Sequence, residues 1–223
     1  MPTRAEAAVR PQRSPPLSIT IMPSDTYRLF IAINLPADLL AGLQTLQQRL
    51  MRQLADAPLR WVRPEGIHLT LKFLGETDAG RVQEIVKALE KDVAASRPFE
   101  LPVGGLGCFP NIRNPNVLWV GVADEEQRLR KLAAEVDRTL VGLGWPPERR
   151  PFSGHLTLAR VRKQAGRKER RILGEQISAL SGAEKLGVLP VYSVHLMRSQ
   201  LHRDGAIYTA LAEVALTGEG ANG

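Results

Sequence analysis

The chain has 223 residues, enough for one large domain or two small lobes with a real core, and at 43% hydrophobic and 24% charged it has the composition of an ordinary soluble globule. No apolar run is long enough to cross a bilayer, and Met1 to Ser24 lacks the apolar segment of a signal peptide, so a cytoplasmic protein without a membrane partner is expected. The formal charge of +7 favours an anionic partner such as nucleic acid or a phosphate ester, while the lone Cys108 excludes an internal disulfide and no Cys or His cluster has zinc spacing.

Part of that charge sits in Arg4, Arg10 and Arg13 of a Pro-rich leader, residues 1–25, whose composition predicts disorder. Another block runs from Arg160 to Arg171, and its segment Arg167 to Arg171 is read as a solvated helix face rather than a nucleic-acid patch.

After the leader, Tyr27 to Asn34 predicts a buried strand, and Pro36 opens a helix to about Leu54, supported by the apolar spacing Leu39, Leu40, Leu43, Leu46 and Leu50. A strand follows over Ile67 to Leu74 and ends at Gly75; Asp78 then caps a helix to about Ala95. Phe99 to Phe109 reads as a glycine-interrupted strand, and Pro110 to Pro115 as a turn-rich connection. Val117 to Val122 restarts the pattern as a strand, followed by a helix from Asp124 to Leu143, a second strand beginning at His155, and strands over Val188 to Leu196 and Ile207 to Leu216. The order strand, helix, strand, helix, strand occurs twice and predicts a duplicated α+β unit: one domain over 26–217 built of pseudo-repeats at about 26–116 and 117–217, with a flexible tail at 218–223. Two such units facing each other would form a bilobal structure, with two antiparallel-type sheets lining a central cleft and helices outside.

One phrase is repeated within this frame: His68-Leu69-Thr70-Leu71 and His155-Leu156-Thr157-Leu158. The period of two in a strand puts His68 beside Thr70 on one face, with Ile67, Leu69, Leu71 and Phe73 on the other; the second copy behaves alike. A single His-x-Thr is what a half-buried strand shows for packing reasons alone, but two identical copies, each following a glycine within two positions, point to paired chemistry. Imidazoles can give or take a proton near neutral pH, so the pair suits general acid and base roles without a metal or other cofactor.

With Arg28-Leu29-Phe30-Ile31-Ala32-Ile33, the two His-x-Thr motifs, Arg160, Ser199-x-Leu201, Gly205 and Tyr208, the chain resembles the 2H phosphoesterase superfamily, specifically the bacterial RNA 2′,3′-cyclic phosphodiesterases, or 2′-5′ RNA ligases. The resemblance covers roughly Arg28 to Leu216 and implies a bilobal fold with both motifs in one cleft. It implies hydrolysis of RNA or nucleotide 2′,3′-cyclic phosphates to 2′-phosphates, with reversible 2′-5′ ligation as a companion activity. By the same resemblance His68 is the proton donor, His155 the proton acceptor, Thr70 and Thr157 the phosphate-binding hydroxyls, and Phe30 and Arg160 nucleotide contacts. Arg160 stands five residues from His155 and would face away from it in a regular strand, so a contact requires a bulge or strand end near Ala159. The other readings are a 2H enzyme acting on another small cyclic phosphodiester, such as ADP-ribose cyclic phosphate, and a non-catalytic RNA-binding module. The expected partners are RNA termini or nucleotides with a 2′,3′-cyclic phosphate, and the expected state is a monomer.

Overall fold

The computed structural model describes residues 25–182, 185–202 and 205–218; most of the expected leader and tail lie outside the described residues. The first elements are strand β1 (Thr26–Ile33), helix α1 (Ala37–Gln53), strands β2 (Leu59–Trp61) and β3 (Leu69–Asp78), helix α2 (Val82–Asp92) and strand β4 (Phe99–Phe109). Then come β5 (Val117–Val122), α3 (Arg128–Gly142), β6 (His155–Val161), α4 (Arg167–Leu180), β7 (Lys185–Val191), β8 (Ser193–His202) and β9 (Gly205–Ala215). Asp124 lies ahead of α3, yet still anchors its start by accepting from the amides of Leu129 and Arg130 at 3.0 and 2.9 Å.

The chain is α+β with antiparallel pairing throughout, and the strands form one sheet in the order β7-β4-β5-β6-β3-β1-β8-β9, with β2 added beside β6. The two expected sheets are thus halves of one, joined where Leu69 of β3 pairs with Leu156 of β6. Chain halves and sheet halves do not coincide. Strands β1 and β3 lie on one side of the join and β4 on the other, while β5, β6 and β7 lie beyond it and β8 and β9 return. The helices cross over as well, since α1 packs on β7 and α3 on β3. Leu39, Leu43, Leu46 and Leu50 of α1, together with Leu129, Leu132, Val136 and Leu140 of α3, are buried against the Leu69 and Leu156 face of the sheet, while Leu40 is only half-buried.

Two sequence expectations change, and one strand is added that the sequence did not announce. The run Val188 to Leu196 is not one strand but two, interrupted at Tyr192, because β7 pairs at one end of the sheet and β8 near the other. Strand β2 has no apolar period to announce it and forms only by pairing with residues 159–161. The second change concerns β3, which runs through Gly75 to Asp78 because Gly75, at φ +72°, sits in a bulge rather than at a strand end.

Bulges in β3 and β6 decide which side chains face where. Ala32 pairs with Thr70 and Ile31 with Lys72, which leaves Leu71 as the extra residue. Trp119 pairs with Thr157 and Leu118 with Ala159, which leaves Leu158 as the extra residue. In both copies the fourth position of His-Leu-Thr-Leu is bulged, so the side chains just beyond it change face. Phe73 therefore does not join Leu69 in the core, as alternation predicted, but stands 64% exposed on the histidine face. Lys72 takes the inward place at 5% exposure, where its ammonium pairs with Asp137 of α3 and donates to the Pro146 carbonyl at 2.8 Å.

A charge buried this deeply depends on its partner. Asp137→Ala should cost about 3–5 kcal/mol, and adding Lys72→Met to it should recover most of the loss. Urea unfolding of the two variants and the wild type measures both steps.

Candidate active site

The Leu69 to Leu156 pairing sets the geometry of the site. One residue to either side along the antiparallel register, His68 stands across from Thr157 and Thr70 across from His155, all four on the face opposite the two leucines. Two motifs remote in sequence become a four-residue diamond, with an imidazole and a hydroxyl at alternate corners. Neither threonine hydroxyl is hydrogen-bonded within the described residues, and both side chains are half-buried.

Each imidazole is held in the same way. His68 Nδ1 lies 2.9 Å from the Gly66 carbonyl and His155 Nδ1 lies 2.8 Å from the Ser153 carbonyl. A carbonyl only accepts, so Nδ1 carries the proton in each ring and Nε2 keeps a free lone pair. Aromatic rings fix both planes. His68 lies 4.8 Å from Phe30 and 4.8 Å from the edge-on ring of Tyr208, and His155 lies 4.9 Å from Phe109 and 6.4 Å from Trp119. The Trp119 indole lies against the backbone of Gly107, where a Cβ would stand 2.2 Å from a ring carbon, so this packing requires glycine.

Burial disfavours the charged form of both rings. It pushes His68 down to about 4, with further lowering from the charges of Arg160 and His155. His155 is lowered as well, again chiefly by burial and then by Arg160. The β6 bulge supplies the change of face that a contact from Arg160 requires: the guanidinium turns onto the histidine face and its charge is felt at both rings. Phe30 is also on that face, but at 2% exposure it is roofed by His68, Phe73 and Tyr208 and has no open ring to offer a base. It supports the His68 ring, and the accessible aromatic beside it is Phe73, 6.0 Å away.

His195 shares this face across Ala32, with Nε2 3.8 Å from Glu213, and belongs to no His-x-Thr pair. Arg170, expected on a solvated face, instead donates to the carbonyls of Ala165 and Pro115 at 3.1 and 2.8 Å and pins the connection ahead of β5 to α4. A groove between α3 and the start of β4, lined by Arg97, Phe99, Arg128 and Lys131, holds none of the motif residues. Among the described residues, no three His, Cys, Asp or Glu side chains converge as a metal site needs.

Sequence reasoning left out Phe73, Phe109 and Trp119 from the site. Phe73 was hidden by the bulge, while Phe109 and Trp119 enter only through the pairing of β4 with β5 and of β5 with β6. Tyr208 did carry a signal, as part of the closing group of resembling residues.

The model of the LigT-like phosphoesterase family matches the chain twice, over residues 33–119 and 120–208. The RNA 2′,3′-cyclic phosphodiesterase of Methanothermobacter thermautotrophicus is 36% identical over 182 residues, which cover 82% of this chain and 95% of that protein. The protein TT0787 of Thermus thermophilus has a similar structure, with a TM-score of 0.68 and 28% identity over 86% of this chain and 99% of that one. E. coli LigT complexed with 3′-AMP has a TM-score of 0.67 and 25% identity over the same shares, 86% and 99%. Matched across both halves, and by relatives over most of its length, the chain belongs to the LigT-like phosphoesterase family.

Proposed function

We infer that the protein hydrolyses RNA or nucleotide 2′,3′-cyclic phosphates to 2′-phosphates, with His68 and His155 as a metal-independent acid and base pair. The observation that carries this reading is the Leu69 to Leu156 pairing, which sets two free Nε2 atoms and two free hydroxyls around one place. The names of the relatives supply the substrate class, and the 3′-AMP complex of E. coli LigT shows that a similar protein holds a nucleotide.

In this scheme the Thr70 and Thr157 hydroxyls donate to the non-bridging oxygens and hold phosphorus between the rings. His155 Nε2 takes a proton from water as its oxygen bonds to phosphorus; the bond from phosphorus to O3′ breaks, and His68 Nε2 gives its proton to O3′. The 2′-phosphate remains. With an RNA 5′ hydroxyl in place of water, the same proton movements join two ends through a 2′-5′ bond. His68, lowered to about 4 in the free protein, is neutral near pH 7, so it must be charged as the anionic substrate arrives; a phosphate beside the ring favours the protonated form. In this reading Arg160 holds the nucleotide by charge and the open ring of Phe73 holds it by stacking, as their position on the histidine face supports. The protein acts as a monomer inside the cell in this reading.

Incubation with adenosine 2′,3′-cyclic phosphate in excess EDTA should yield adenosine 2′-phosphate, separated from the 3′ isomer by chromatography. His68→Ala and His155→Ala should each lower kcat by about 10² to 10⁴-fold with unchanged circular dichroism. Wild-type turnover by either folded variant overturns the roles assigned.

The pH dependence follows from the directions of shift. A lowered pKa means that the ring loses its proton at lower pH, and kcat/KM needs one ring charged and the other neutral in the free enzyme. Its maximum should therefore fall below 6.5, the ordinary histidine value from which both are lowered. The maximum of kcat, set in the complex where the bound anion raises both rings, should lie higher. Initial rates across the acid and neutral range measure the two profiles.

A further inference from the structure

Strand β2 brings a residue that neither the motifs nor the proposed chemistry uses. Arg60 pairs directly with Arg160 across the β2 and β6 ladder, and both side chains are exposed. Their neighbours Leu59 and Trp61 pair with Val161 and Ala159 and face the core, which turns both arginines onto the histidine face. Like charges directly opposite each other in a sheet repel. Neither guanidinium has an ion pair or hydrogen bond within the described residues, so no carboxylate among them offsets the repulsion. Two guanidiniums on paired positions of neighbouring strands offer donors that a phosphate group can accept.

The two arginines differ in depth. Arg160 acts on both histidines, whereas Arg60 is not among the charges felt by either ring. Arg60 instead reaches outward, its Nη2 3.7 Å from where a Cβ on Gly205 would stand, at the start of the strand that carries Tyr208. The edge of β6 is shared in the same sense: β3 occupies it at Leu156, by the motif, and β2 takes it over at 159–161. Arg60 thus extends the anion-binding face one step beyond the phosphate that the histidines would hold.

We propose that Arg60, together with Arg160, forms a second phosphate subsite that binds the 5′ phosphodiester of the terminal nucleotide and so favours RNA ends over free cyclic mononucleotides. This rests on the phosphodiesterase reading above. A phosphate shared by the two guanidiniums removes their mutual repulsion, so affinity there comes from charge rather than from base identity, as suits ends of varied sequence.

The test compares kcat/KM for adenosine 2′,3′-cyclic phosphate with that for the same nucleotide bearing a 5′ phosphate. Wild-type protein should prefer the 5′-phosphorylated substrate by about tenfold or more, mostly through KM. Arg60→Gln should abolish that preference, leave turnover of the unphosphorylated nucleotide within about threefold, and lower the slope of log KM against log salt by about 0.7. Arg60→Lys should restore part of the preference, and Arg60→Gln should melt no lower than wild type at low salt, because a like-charge pair has been removed. A preference that survives Arg60→Gln, or one missing from the wild type, overturns the subsite and leaves the phosphodiesterase reading standing. A marked fall in melting temperature makes Arg60 structural and also overturns it. If neither cyclic phosphate is hydrolysed, the reading falls and the subsite with it.

Discussion

The arrangement of this protein depends on one pairing, Leu69 against Leu156, where two half-sheets meet. The leucines are fully buried beneath the helices, so the pairing is held by the main core and not by the site it creates. Because side chains alternate on a strand, burying Leu69 and Leu156 on one face obliges His68, Thr70, His155 and Thr157 to stand together on the other. Hydrophobic burial does the positioning, and the polar groups above remain free for a ligand. A one-residue slip of either strand would bury the motif side chains and expose the leucines, which is why the register is strongly specified.

The second constraint is the bulge after each motif. A regular strand would have sent Phe73 and Arg160 into the core; the extra residues Leu71 and Leu158 bring both to the site face. A bulge leaves a carbonyl without its ladder partner, and such a group must be satisfied elsewhere. The Leu158 carbonyl accepts from the Val62 amide at 2.9 Å and from Gln47 Nε2 at 3.0 Å. This accounts for a glutamine at 1% exposure on the apolar face of α1, and it ties the direction of Arg160 to that helix. The other bulge has its own support in Lys72, whose inward ammonium is held by Asp137 of α3. Each helix that crosses the join thus buttresses one bulge.

Much of this was legible in the sequence because the signals are local. Leucine spacing marked α1 within a residue at each end, β4 and β5 matched their expected bounds, and the duplicated His-Leu-Thr-Leu drew attention to the four central residues. What escaped depends on partners far along the chain. Alternation assigned Phe73 to the core because a bulge is defined only by the neighbouring strand, here β1. Nothing between Leu189 and Leu196 breaks the apolar run sharply enough to show that the chain leaves one edge of the sheet and enters the other half at Tyr192. Phe30 was expected to offer its ring to a base, yet Tyr208 and Phe73 close over it from strands that no local window contains.

The electrostatics of the face follow from the same burial. Burial lowers His68 and His155 and so favours their neutral forms, while the guanidinium of Arg160 stands beside both rings. In the proposed scheme, attraction for an anion and proton transfer to it fall to different groups. There the threonine hydroxyls meet the reacting phosphate whether or not a histidine is protonated, and the imidazole serving as acid gains its proton once the anion is in place. The rings are sunk among Phe30, Tyr208, Phe109 and Trp119, and in that scheme this burial makes the charge of the acid conditional on the ligand it is to act upon.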